Sequence, residues 1–389
     1  LSKQSTPNNS NISVVGTANN FHSLSDYSIR FIQEYKTKSN HNISFGFEEN
    51  SFSTHFENKN TESTSFNSLS KIENGYLYSF FIKDSWNFIN NWEFDTGIRF
   101  SYFNSLDNFY YEPRIAITYK IKEKLSFNLS YGVHNQFIHR LEKFKISNYS
   151  NNIWFLSSPR IPVILSTNFQ SGFIWDEKDY NFSIIFYRKE MKKFFQFKRS
   201  FSIQDYLSYD DEIIDPGNGK TNGLEIQLRK KYGLVSGWVS YHNSSVKYKI
   251  SNFNEDEFFS ADHDKNHEFK TVVLGKFFNT DISASWVFSS GRPFTELENL
   301  YVESGTGYEM FVIRRYNDRQ IQYTHHLDIS LSKTHRISNL RVDFGFSVYN
   351  LLNKNNIAYK RYNPFARELS IKDISMFGIT PSVFTKILF

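Results

Sequence analysis

Leu125 to Gln136 reads LSFNLSYGVHNQ, and it alternates without a break. Leu125, Phe127, Leu129, Tyr131 and Val133 fall on one side. Ser126, Asn128, Ser130, Gly132, His134 and Gln136 fall on the other. Successive strand side chains point to opposite faces, so this is a strand with one apolar and one polar face. The pattern recurs along the chain. Leu340, Val342, Phe344, Phe346 and Val348 oppose Arg341, Asp343, Gly345, Ser347 and Tyr349. Trp92, Phe94, Ile98, Phe100 and Tyr102 oppose Glu93, Asp95, Gly97, Arg99 and Ser101. Leu224, Ile226 and Leu228 oppose Glu225, Gln227 and Arg229; Leu327, Ile329 and Leu331 oppose His326, Asp328 and Ser330.

A sandwich or propeller also alternates, so the connections decide. Short turns fall near Lys38–Asn40, Asn87–Asn91, Lys122–Lys124, Asp176–Asp179, Lys231–Gly233, Asn279–Thr280 and Thr334–Ser338. Long loops fall between them, near Glu57–Asn74, Ile138–Pro162, Lys198–Asn218, Ser251–Lys265, Gly291–Tyr323 and Leu352–Gly378, with a shorter one at Ser105–Phe109. Short turns at one end and long loops at the other are the mark of an outer-membrane barrel. The expected fold is all-β, a transmembrane antiparallel up-and-down β-barrel with about 15–16 strands in this chain. Residues 1–25 are expected as a polar N-terminal segment, a loop or one extra strand, and 26–389 as barrel.

Composition agrees. Of 389 residues, 18% are aromatic, with 41 Phe and 24 Tyr, and the mean hydropathy is −0.51. No stretch reaches the roughly 18 apolar residues of a spanning helix. A barrel strand averages to polar because its faces alternate, while aromatic girdles raise the Phe and Tyr content. There is no Cys, which excludes a disulfide framework and thiolate metal sites. The net charge of +5 is scattered, so nucleic acid is not expected as a partner.

Several stretches resemble the C-terminal barrel of TonB-dependent outer-membrane transporters: ADHDKNHEFKTVVLGKFF (Ala261–Phe278), ASWVFSSGRPFT (Ala284–Thr295), HHLDISLS (His325–Ser332), VYNLLNKNN (Val348–Asn356) and the last strand FGITPSVFTKILF. FIKDSWNF (Phe81–Phe88) and Glu112–Gly132 resemble earlier barrel strands. The resemblance implies the wall and extracellular loops of an uptake channel for a chelated metal, a glycan or a peptide. It implies a bacterial outer-membrane location with the C-terminus on the periplasmic side. It also implies a plug displaced by a TonB-type energy coupler. Terminal alternation ending at Ile387 and Phe389 resembles the signal read by the outer-membrane assembly machinery. Such transporters have about 22 strands, so the plug and remaining strands are expected from an upstream segment or a second polypeptide. Outer-membrane lipid and a surface lipoprotein complete the expected partners. The alternatives are a complete sixteen-stranded porin-like channel, and a structural barrel in a surface complex.

No catalytic residue, cofactor or resident metal is expected. DPGNGKTNG (Asp215–Gly223) ends like a phosphate-binding loop, but Ile214 stands where the motif needs its first Gly, and a strand follows. It reads as a loop returning to a strand. His263 and His267 read as polar-loop residues rather than ligands. Lumen-facing positions are Arg99, Arg114, Glu225, Arg229, Asp328, Arg341 and Asp343. Loop aromatics that suit ring-bearing cargo are Tyr110, Tyr111, Trp154, Phe155, Tyr206, Tyr301 and Tyr308.

Overall fold

A computed structural model describes residues 17–62, 65–142, 152–197, 214–302, 309–313, 315–337, 340–363 and 370–388. Fifteen strands follow one another in a single antiparallel path. They are β1 Thr17–Lys36, β2 His41–Glu62, β3 Ser65–Ile89, β4 Trp92–Phe103 and β5 Asn108–Lys122. Next come β6 Leu125–Gln136, β7 Ile164–Asp176, β8 Tyr180–Phe197, β9 Ile214–Lys230 and β10 Val235–Ile250. The last five are β11 His267–Phe277, β12 Thr280–Ser289, β13 Thr324–Ile337, β14 Leu340–Tyr349 and β15 Thr380–Leu388. A two-residue strand, Phe259–Ser260, adds to β10. This is one up-and-down wall, not two packed sheets.

Alternation sets the faces. Tyr27, Phe47, Phe80, Phe100, Phe173, Phe186 and Phe346 are exposed on one face, which is the outward one. The other face carries Glu48, Ser79, Ser101 and Glu112, all buried, and is the inward one. Short turns keep the strands adjacent. At the β11–β12 turn, Phe278 and Asn279 both adopt positive φ (45° and 61°), the geometry of a two-residue hairpin turn. Along β14–β15 the Phe384 ring lies across Gly345, where a Cβ would collide with it.

Three expectations need correction. Glu57–Asn74 is not a loop: β2 and β3 stay paired up to Glu62↔Ser65. At roughly 3.3 Å per residue these strands of 22 and 25 residues far exceed the ~30 Å core of a bilayer. Ser, Thr and Asn dominate both faces there, so no apolar stripe betrays the ladder. Asp215–Gly223 is strand throughout, with Pro216 paired to Phe195 and Gly217 to Ile250; Asp215 is fixed by the Asn252 amide at 2.9 Å. β1 starts at Thr17, so the first wall strand begins earlier than residue 26; residues 1–16 lie outside the described residues. Finally, among the described residues no ladder joins β1 to β15. Within the described residues, β1 and β15 thus each keep one edge that no other strand pairs.

The long connections fold as hairpins of their own. Ile138–Glu142 pairs with Asn152–Leu156, Leu297–Val302 with Glu309–Ile313, and Ile357–Asn363 with Ser370–Ser375.

Candidate functional site

The inward face near β1–β8 borders an open pocket of about 860 Å³, lined among others by Arg30, Phe81, Arg99, Arg114, His134 and Tyr187. Its charges are held in a fixed arrangement. Glu48 accepts from Arg30 Nη2 at 2.6 Å and from Arg99 Nη2 at 3.0 Å, one guanidinium to each oxygen. Arg99 also stands 5.5 Å from the centre of the Phe81 ring. Glu112 bonds Arg114 at 3.3 Å and accepts the Asn135 backbone N–H at 2.7 Å. Lys83 pairs with Asp95 at 2.9 Å. A buried carboxylate is tolerable only when paired and hydrogen-bonded, and Glu48, 4% exposed, meets that condition twice. Farther round, Tyr187 Oη bonds His242 Nε2 at 2.6 Å, and the Tyr187 ring fills the space a side chain at Gly223 would need.

The register places Arg99, Arg114, Glu225, Arg229, Asp328, Arg341 and Asp343 on this polar face. They do not converge on one point. Asp343 is held by the Thr334 hydroxyl at 2.7 Å and Arg341 Nε at 3.0 Å. Asp328 accepts the Asn350 backbone N–H at 2.9 Å and contacts His326 at 3.1 Å. Asn350, fully buried, donates to the carbonyls of Lys354 and Phe377 at 2.9 and 3.1 Å. Asp328 and Asn350, drawn from two of the quoted stretches, thus form one staple at the upper end of β13–β14. Asp264 does the same beside β10, accepting the Val246 N–H at 3.0 Å. His263 and His267 go separate ways: His267 bonds the Tyr241 hydroxyl at 2.8 Å, while His263 stands edge-on to Tyr248 at 6.4 Å.

The aromatic candidates are dispersed. Tyr110 packs edge-on against Phe137, centroids 5.0 Å apart. Tyr111 faces outward against Phe100, away from the mouth, because neighbours in a strand alternate. Trp154 lies 5.8 Å from the Arg140 guanidinium, and Phe155 is fully buried. Tyr301 sits in Leu297–Val302. Ile387 is on the outward face of β15 opposite Val342. Tyr206, Tyr308 and Phe389 lie outside the described residues.

Sequence reading missed the mouth. The hairpin of Ile138–Glu142 and Asn152–Leu156 folds back over β1, β2 and β3. Leu156 joins Phe52, Leu77, Phe103, Phe137 and Val163 in a buried cluster. At its base His139 Nε2 bonds Ser157 Oγ at 2.8 Å, with its ring edge-on to Phe195 at 5.1 Å. Burial pushes the His139 pKa down to about 4. The loop after β10 and the loop after β12 are joined by reciprocal bonds. Asn254 donates to the Tyr316 carbonyl at 2.9 Å and accepts its N–H at 2.7 Å. Arg292 reaches the Ala358 carbonyl of the last hairpin. No local pattern signals these contacts, since each joins segments far apart in the chain.

No family model and no curated protein matches the sequence. Solved structures do match. The ferric-catecholate import receptor Fiu from K12 E. coli is 12% identical with a TM-score of 0.61, covering 96% of this chain and 55% of that one. The ferric yersiniabactin uptake receptor FyuA from Yersinia pestis is 9% identical with a TM-score of 0.66, covering 96% and 56%. The siderophore receptor PiuA from Acinetobacter baumannii is 12% identical with a TM-score of 0.63, covering 95% and 56%. The chain has the β-barrel fold of these receptors and spans about half their length. These neighbours are transport receptors, not enzymes.

Proposed function

We propose that this chain forms the greater part of the wall and mouth of a TonB-dependent uptake channel in the bacterial outer membrane, and that its cargo is a chelated ferric ion. One observation carries the reading: nearly the whole chain follows the fold of receptors described as importing ferric chelates. The two open edges support a second part of the reading. Unpaired backbone groups are not tolerated in lipid, so further strands complete the wall, and a plug with its energy coupler comes with them. The short turns then face the periplasm, and β15, leaving a long connection, ends on that side. Captured cargo would meet the folded hairpins first and the Arg30–Glu48–Arg99 wall after them.

Uptake of radio-iron chelates by cells with and without the receptor tests this. The expected result is that one class among catecholate, hydroxamate and citrate chelates enters only with the receptor, and that a protonophore stops it. Equal uptake in both strains across the panel overturns the cargo assignment. Receptor-dependent uptake that ignores the protonophore overturns the energy-coupled mechanism.

A further inference from the structure

The top of β8 is paired on one side only. Among the described residues its last rung with β7 is Lys192↔Leu165, while the ladder with β9 runs on to Phe197↔Ile214. At the base of this tip the register slips by one residue: Met191 pairs with Gly219, and the next rung is Phe194↔Gly217. Lys193 there has φ 56°, a left-handed conformation that a long side chain seldom adopts. A bulge of this kind bends a strand and re-aims the residues beyond it. Counting by twos from the outward Phe186, Phe194 would face outward; the extra residue turns it inward, beside Gly217.

Two neighbouring rings leave the tip in opposite directions. Phe194 stacks on Tyr248, centroids 4.4 Å apart, and packs against the buried cluster of Ile250, Phe253 and Tyr316. Phe195, 2% exposed, meets the His139 ring at the base of the hairpin of Ile138–Glu142 and Asn152–Leu156. The paired end of β9 holds the loop after β10 a second time. The Pro216 carbonyl accepts the Ser251 N–H at 2.9 Å, and the Asp215 carboxylate accepts the Asn252 amide. Asn254 of that loop is in turn bonded both ways to Tyr316 of the loop after β12. One short segment with a bend at Lys193 therefore touches the hairpin on one face and both loops on the other. Close-packed clusters transmit displacement rather than absorb it. The two rings share a backbone, so a twist that frees one pulls on the other.

We propose that the paired tip of β8 and β9, residues 194–197 with 214–217, is a coupling element: the hairpin and the loops after β10 and β12 dock and undock as one unit. The bend at Lys193 is its hinge, and hinges are a few element-terminal residues that absorb the change in backbone angle. A contact that loosens the hairpin then loosens the loops, and by linkage the effect runs both ways. The inference rests on the fold and holds for any cargo.

Backbone hydrogen exchange of the full receptor in detergent reads both sides. The amides of Ile138–Glu142 report the hairpin; those of Phe253, Asp256 and Glu257, each bonded to a backbone carbonyl, report the loop after β10. The perturbation is Leu156→Ala, at the anchor on the opposite face of the hairpin from His139. It is expected to speed exchange about tenfold at both reporters, an ordinary size for a coupling between sites. In a Phe195→Ala background the same substitution is expected to speed the hairpin amides and leave the loop amides unmoved. Asn254→Ala, applied to the loop, is expected to speed the hairpin amides in turn. Loop amides that keep wild-type rates in Leu156→Ala overturn the proposal. So does an acceleration there that persists in full without the Phe195 ring. The amides of Leu340–Tyr349 are the control: if they accelerate too, the wall as a whole has loosened, and the milder Leu156→Val carries the same comparison. Should Phe195→Ala lose its heat-modifiable migration, Phe195→Leu takes its place in the double variant.

Discussion

Phe346 shows what a single wall residue has to satisfy. It faces outward on β14, with Leu331 of β13 and Val383 of β15 beside it. All three are exposed apolar side chains, and in the proposed outer-membrane barrel such a cluster faces lipid. Ser347, its chain neighbour, points inward between Ser330 and Ser382. Phe346→Arg should therefore cost about 2–4 kcal/mol, as arginine does near a bilayer midplane. Ser347→Arg should cost well under half of that, because the inward face is polar. Folding titrations in urea with lipid vesicles, read by heat-modifiable migration, measure both. Equal costs would show that the two faces have been exchanged. Asp343 is a poor choice for this comparison, since its bonds to Thr334 and Arg341 add a second loss. The faces themselves were legible in the sequence, because period two survives any error in strand ends. The partners of Asp328 and Asp343 were not, because hydrogen bonds to Asn350 and Thr334 depend on register.

The hairpin of Ile138–Glu142 and Asn152–Leu156 is the element whose behaviour the structure adds. Its base is anchored twice, by Leu156 in the Phe52–Leu77–Phe103 cluster and by His139 on Ser157 and Phe195. Among the described residues His139 Nδ1 has no hydrogen-bond partner, so protonation adds a buried charge that no described group meets. With a value of 6.5 when free and about 4 when docked, the docked hairpin binds fewer protons between those limits. Docking is then at full strength above pH ~6.5 and weakens as pH falls toward ~4, by up to about tenfold per pH unit. Hydrogen exchange at the backbone amides of Ile138–Glu142, followed from pH 7 to pH 4.5 and corrected for intrinsic rates, should show protection falling in that window. His139→Gln, which keeps a donor toward Ser157, should flatten the dependence. A dependence of equal slope in that variant would assign the effect to another group. Elements of this kind were not legible beforehand. The fifteen wall strands were, since each carries an apolar stripe; the paired tops of β2 and β3 are polar on both faces and read as loop.

At the scale of the molecule the decisive feature is the pair of open edges. Each ladder from β1 to β15 joins chain neighbours, and among the described residues the order never returns from the last strand to the first. An edge in lipid leaves a row of backbone donors and acceptors unmet, at several kcal/mol for each group. In the channel proposed above the edges are therefore sites of pairing, and what pairs there is testable because the chain has no native Cys to interfere. Thr385 of β15 supplies one position, and a Cys scan through residues 17–36 of β1 supplies the others. A disulfide needs Cα atoms about 4.4–6.8 Å apart, which directly paired strands provide and separated edges do not. Under oxidising conditions in membranes, the expected outcome is that no β1 position bonds to Thr385→Cys. A Cys placed in the completing strands should bond to it instead. A specific bond between β15 and β1 would show that the wall closes on itself. The opening would then be narrower than that of the receptors it resembles, and uptake would have to proceed without the additional strands and plug proposed here.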